Sequence, residues 1–289
     1  MERASGRPCR LSRRHSFATS HGKITDMLNR RRWLQATAAL AGAPQLHSAP
    51  HDLNFSTVVE AKVDRMFRTP GPNPNGLQAT NDGLWIYDQG TNKVALVGYD
   101  GRVVREFPTD TDKGSGITWD GTALWIASTY NRMLVRVDPR NGETLKKFAS
   151  PGSGVVKWGP RSAHPQPTGA HGLEWRDGEL YVANPPSATI YVVSPVDGKT
   201  LRSFAAPGVR PHGVGWDPDG SLWCTESIYR SFFKMDRKSG RISRQVMLPP
   251  LEPEVDGIVQ VPHGMTVWNR EFWFSVAETG EVYRMALPA

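Results

Sequence analysis

Five copies of one short strand-and-turn unit predict an all-β chain, folded as a five-bladed β-propeller of four-stranded antiparallel blades. Three observations carry that expectation. The unit recurs about every 40 residues, its strands are led by aromatic and β-branched residues, and its turns carry Asp-Gly or Asn-Gly pairs. A sixth, degenerate blade is the alternative that uneven spacing leaves open.

The 289-residue chain begins with a basic stretch that stands outside the repeats. Residues 1 to 50 hold 9 Lys and Arg against 2 Asp and Glu, which accounts for the whole formal charge of +7 and leaves 26 of each sign in residues 51 to 289. A neutral body argues against nucleic acid as a partner. Asn29-Arg30-Arg31-Arg32-Trp33-Leu34-Gln35 resembles a twin-arginine export signal, and Met27 is placed to start it. The apolar run Ala36 to Ala43 is far shorter than the roughly 20 residues of a membrane-spanning helix. The expectation is therefore a periplasmic or secreted protein, cleaved between Ala41 and Ala49, with no integral membrane segment in the mature chain. Residues 1–50 are assigned to the leader and 51–289 to a single propeller domain. Cys9 leaves with the leader, so Cys224 has no partner for an internal disulfide and is read as a buried, inert thiol.

The first element of the body, Val63-Asp64-Arg65-Met66-Phe67, repeats the pattern of the fourth strands further on. The final unit, ending at Ala289, lacks such a strand, so this segment is expected to complete the last blade and join the two ends of the body. The aromatic-led second strands follow in order: Leu84-Trp85-Ile86-Tyr87, Leu124-Trp125-Ile126-Ala127, Leu180-Tyr181-Val182-Ala183, Leu222-Trp223-Cys224-Thr225 and Phe272-Trp273-Phe274-Ser275. Asp82-Gly83, Asp120-Gly121, Asp177-Gly178 and Asp219-Gly220 precede four of them, pairs that tolerate the positive φ of tight hairpins. Turns at Asp100-Gly101, Asn141-Gly142, Asp197-Gly198 and Ser239-Gly240 separate third from fourth strands, and each fourth strand carries a cation at its middle, Arg105, Lys146, Arg202 or Arg244. The leading aromatics stand 40, 56, 42 and 50 residues apart; the long gaps are assigned to Pro- and Gly-rich loops near 151 to 168 and 248 to 262.

First strands line the axis of a propeller, so matched positions on them form a ring. Counting back ten residues from each aromatic, or eleven in the fourth unit, gives Asn75, Ser115, His171, His212 and His263, each followed by glycine. Small residues there let strands crowd a narrow axis. Two readings of the three imidazoles stay open. They can bind a divalent ion (Mg, Mn or Zn), or they can line the mouth as polar groups that touch substrate. Three residues beyond each aromatic lies a second matched set, Asp88, Ser128, Asn184, Glu226 and Val276, expected at the same mouth. Glu226 is thereby expected near His212, where a carboxylate can hold a cation or orient the imidazole.

The stretch Pro211-His212-Gly213-Val214, Asp219-Gly220, Trp223-Cys224-Thr225-Glu226 resembles the repeat of the virginiamycin B lyase family, P-H-G-I followed by D-G and W-F-T-E. The set of units is also similar to the wider NHL and gluconolactonase-like propellers. The lyase resemblance implies opening of a cyclic depsipeptide by elimination at an ester, with a histidine base and a magnesium ion held by two glutamates. It implies His212 as the base, Glu226 as one metal ligand and His171 as a substrate contact. Arg210 stands where the second glutamate is expected, and the family has seven blades rather than five, which together point to a different or smaller substrate. No H-E-x-x-H, C-x-x-C, G-x-S-x-G or Rossmann glycine pattern is present, and Gly198-Lys199-Thr200 falls in a turn.

The resulting expectation is a monomeric exported propeller that binds a small-molecule or peptide-like ligand at its axial mouth. His212 is the catalytic candidate, His171, Asn184 and Arg210 the substrate contacts, and His263 and Glu226 the metal ligands of a lyase-type site. A gluconolactonase-like hydrolase and a non-catalytic scaffold for protein or glycan recognition are the competing expectations.

Overall fold

A computed structural model describes residues 56–59, 62–158, 166–251 and 259–288. The leader, the twin-arginine segment and the middle parts of both long loops lie outside the described residues. All described residues belong to the compact unit Ser48–Ala289, and they form twenty-one strands and no helix.

Two strands come before the repeats, β1 (Ser56–Val59) and β2 (Asp64–Arg68). Blade one is β3 (Pro74–Thr80), β4 (Gly83–Asp88), β5 (Lys93–Val97) and β6 (Val103–Pro108). Blade two is β7 (Ile117–Trp119), β8 (Leu124–Ser128), β9 (Met133–Val137) and β10 (Thr144–Ala149). Blade three is β11 (Gly172–Arg176), β12 (Glu179–Asn184), β13 (Thr189–Val193) and β14 (Thr200–Ala205). Blade four is β15 (Pro211–Trp216), β16 (Leu222–Glu226), β17 (Ser231–Met235) and β18 (Ile242–Met247). Blade five is β19 (Met265–Trp268), β20 (Glu271–Val276) and β21 (Glu281–Ala286), with β2 as its outer strand.

Successive strands within each blade pair antiparallel, and there are five blades, not six. The turn glycines take the positive φ their sequence implied, from Gly83 at 133° to Gly240 at 72°. Closure is as expected: β2 pairs antiparallel with β21, Asp64 opposite Arg284 and Arg68 opposite Glu281. One strand was not foreseen. β1 lies parallel to β18, Ser56 opposite Arg244 through Val59 opposite Met247, and gives blade four a fifth strand. Its four residues carry no period of their own, so only the neighbouring edge defines it.

The core lies between blades rather than inside any one of them. Five apolar clusters occupy the five blade interfaces, and each second-strand aromatic faces the following blade: Trp85 packs toward blade two, Trp125 toward three, Tyr181 toward four, Trp223 toward five and Trp273 back toward one. That is why both faces of these strands are apolar, as in β4, where every residue is buried. Two indoles also place their N–H on a turn carboxylate that a strand cation holds: Trp125 on Asp120 (3.0 Å) beside Arg136, and Trp223 on Asp217 (2.8 Å) beside Lys234.

At the axis, β3, β7, β11, β15 and β19 pack in sequence, and β19 returns to β3. The glycines that follow the ring residues make this approach feasible. A Cβ on Gly172 would fall on the carbonyl of His212 in the next blade. At the outer rim a second close fit recurs: Phe148 ends β10 beneath Gly198 of the next blade, where a Cβ would lie 2.6 Å from the ring.

Candidate functional site

The inner strands deliver the ring residues to one end of the axis. Asn75, Ser115, His171, His212 and His263 are all buried, and the three imidazoles touch in sequence. His171 Nδ1 lies 3.1 Å from His212 Nε2, their rings edge to face at 4.7 Å. His212 and His263 repeat that edge contact at 4.7 Å. Below them the axial space, lined by Ile117, Leu173 and Met265 among others, is too narrow for a water molecule. The propeller is therefore plugged at that level by its own inner strands.

His263 anchors one end of this line. Its Nδ1 meets the Asn75 amide at 3.0 Å, and its Nε2 meets Glu278 Oε1 at 2.9 Å. Burial pushes the His212 imidazole well below its ordinary value, and the neighbouring His171, His263 and Arg210 push the same way. Burial also lowers His263, while Glu278 pulls it back up. For Glu278 burial works upward, but the His263 hydrogen bond leads a set of contacts that holds the carboxyl below the usual range. Burial thus holds His212 in its neutral form, while the contact with His263 favours an ionised Glu278.

At the other end, the Arg210 guanidinium sits over the Trp158 ring at 5.3 Å, and the same indole meets His171 edge-on at 5.7 Å. Trp158 comes from the loop between blades two and three, whose ends are pinned by the backbone bridge of Gly154 and Thr168. The inserted loop thus contributes a wall to the site.

The second matched set reaches the same mouth but is occupied with backbone. Glu226 accepts the N–H groups of Arg210 (2.8 Å) and Tyr229 (2.7 Å), one on each oxygen. Asp88 accepts Asn73 N–H (2.6 Å) and Thr91 N–H (2.8 Å), and Ser128 Oγ accepts Asp112 N–H (2.8 Å). Asn184 donates to the Pro151 carbonyl (2.8 Å) and accepts Ser187 N–H (3.2 Å). In all four blades this position clamps the loop that leads into the first strand. The structure therefore brings His171, His212, His263 and Arg210 together, while Glu226 and Asn184 stand beside them holding loops.

A zinc-type site at this mouth needs three or more protein donors aimed at one point. His171 and His212 supply two facing nitrogens, but both His263 nitrogens and both Glu226 oxygens are engaged elsewhere. Among the described residues no three His, Cys, Asp or Glu side chains form such a group. The described donor set does not fit a zinc-type site, and no step below runs through a metal.

Two members of the site escaped sequence reasoning, Glu278 and Trp158. The position two past the clamp reads Gly90, Tyr130, Pro186, Ile228 and Glu278 around the blades, so a lone carboxylate at that offset was the available signal. Trp158 has no counterpart in the other repeats.

No family model matches the chain, and no curated protein matches it. Among solved structures, glutaminyl cyclase from Myxococcus xanthus superposes with a TM-score of 0.61 at 11% identity, covering 80% of this chain and 97% of that one. A streptogramin B lyase structure gives 0.48 at 15% identity over 78% and 98% of the two chains. A catalytically inactive virginiamycin B lyase from Staphylococcus aureus with quinupristin gives 0.45 at 19% identity over 74% and 66%. The first likeness spans nearly all of the body and is one of fold. Fold and site together define an all-β propeller with a histidine-lined face.

Proposed function

We propose that this chain is an exported propeller that binds a small or peptide-like ligand on the histidine face and opens an ester in it by elimination, with His212 as the base. One observation carries the reading: His212 is buried, held neutral, engaged through Nε2 with His171, and left without a hydrogen-bond partner at Nδ1. A neutral imidazole steadied at one nitrogen and bare at the other is suited to take a proton. In the elimination, His212 takes the proton from carbon, its electron pair becomes the new C=C bond, and the C–O bond breaks to release a carboxylate. Arg210 stands on the same face to balance the negative charge that develops. Export rests on the arginine-rich segment Arg30-Arg31-Arg32 and its flanking residues.

The test is to incubate the full chain, and His212→Gln, with a streptogramin B-type cyclic depsipeptide and, separately, with an aldonolactone, following ring opening by liquid chromatography and mass spectrometry. Depsipeptide opening that falls by about a hundredfold in the variant, with its melting temperature kept, is the expected result. Lactone opening alone would move the reading to a hydrolase. A wild-type chain inert toward both, or a variant as active as wild type, would remove His212 from the chemistry.

A further inference from the structure

Contacts on the histidine face form an almost closed circuit. Arg210 lies over Trp158, Trp158 meets His171, His171 bonds His212, His212 packs on His263, and His263 bonds Glu278. The two ends of this circuit carry opposite charges and lie in each other's field. They do not meet. Among the described residues Arg210 makes no ion pair within 4.0 Å, and Glu278 makes one only with His263.

Both ends also carry a buried atom without a hydrogen-bond partner, Nε of Arg210 and Oε2 of Glu278, and a third such atom, His212 Nδ1, belongs to the line between them. Folded proteins rarely leave such groups unmatched, because each forfeits its hydration without replacement. The nearest carboxylate on Arg210's own blade, Glu226, is already filled by two backbone N–H groups. A planar guanidinium suits a carboxylate, and an ionised carboxylate suits an ammonium. Around the same mouth, loops from three connections expose Val155 (47%), Ile228 (45%) and Val259 (52%), which favours an apolar side chain on the guest.

We infer that the histidine face takes a zwitterionic ligand of the amino-acid or short-peptide type, its carboxylate on Arg210 and its ammonium on Glu278. This rests on the reading of that face as a ligand site and adds a second class of occupant, distinct from the cyclic ester, which has no free termini. The guest bridges two charges that the fold holds apart.

Isothermal titration calorimetry on the full chain tests this with L-leucine and L-leucylglycine, each also as the N-acetyl form and the C-terminal amide. At least one free zwitterion should bind, and either blocking group should weaken it by about tenfold or more. Glu278→Gln should abolish the penalty for acetylation, and Arg210→Gln the penalty for amidation, the coupling expected of direct partners. The ligand-side comparison needs no variant, so a substitution that unfolds the chain leaves it intact. Blocked forms that bind as well as free ones would overturn the charge assignment while leaving the face a ligand site. Absence of binding by either zwitterion up to about 10 mM, with depsipeptide opening retained, would overturn the zwitterion alone. Loss of both would overturn this inference and the proposed function together.

Discussion

Glu174 sits three residues beyond His171 on β11, fully enclosed, at a level of the axis it shares with Gln78, Thr118, Gly215 and Thr266. Burial pushes the carboxyl up to about 8, against the Trp175 N–H that donates to its Oε1 (2.9 Å) and the Thr118 hydroxyl 3.1 Å away, whose one proton is shared with Gln78 Oε1 (2.7 Å). A carboxyl raised in the folded state keeps its proton there after the unfolded chain has lost its own. Stability is therefore highest below the unfolded value of 4.5 and is lost as pH rises toward about 8, by roughly 5 kcal/mol at most. Glu174→Gln keeps an acceptor for both donors and removes the titration. Melting curves from pH 5 to pH 9 should coincide for the two proteins at the acid end and separate at the alkaline end, the variant melting higher; parallel curves would show that Glu174 is not the source. At the same scale the ring histidines illustrate what a repeat can disclose. Their matched positions were visible in the sequence, whereas Glu278 was masked by a blade-five turn in which the aligned clamp position is Val276.

Closure depends on β2, and its residues explain why. Phe67 joins the apolar cluster between blades five and one, and Gly101 has no room for a Cβ, which would lie 2.8 Å from Phe67 Cβ and 2.9 Å from the first atom of its ring. Arg284 on β21 pairs with Asp64 of β2 at 3.2 Å. β1, by contrast, only adds four residues to the outer edge of β18. Deletion through residue 61 should leave a monomeric chain with a cooperative melt. Deletion through residue 68 exposes the β21 edge and removes the Phe67 contact, a loss of about 3 kcal/mol or more from packing alone. Size-exclusion chromatography should then show association, and equal behaviour of the two truncations would contradict this account of closure. Within the blades, the turn and strand signals were legible because a hairpin needs only local residues to define it. β1 was not, because an edge strand of four residues takes its register wholly from its neighbour.

For the molecule as a whole, the face above the axis is where blades three, four and five combine. His171, His212 and His263 come one from each, and blade one supplies Asn75. The donor geometry predicts that chemistry on this face is independent of metal. Dialysis of the full chain against EDTA should leave the depsipeptide-opening rate unchanged, and added Mg²⁺, Mn²⁺ or Zn²⁺ should not raise it; a rate lost with EDTA and restored by one ion would contradict the engagement described for His263 and Glu226.

What the sequence alone determined is the architecture: a propeller of repeated blades, their turns, closure by the N-terminal strand, and the register that sends three histidines to one end of the axis. Each follows from a period repeated along the chain, since equivalent positions in equivalent strands must point the same way. Only the tertiary structure decided what those side chains do there. Glu226 turned to its own backbone, His263 found Glu278 and the distant Asn75, and Trp158 came in from an inserted loop to carry Arg210. A repeat specifies where a side chain starts, but its partner is chosen by rotamer and by neighbouring blades, and neither is written in the period.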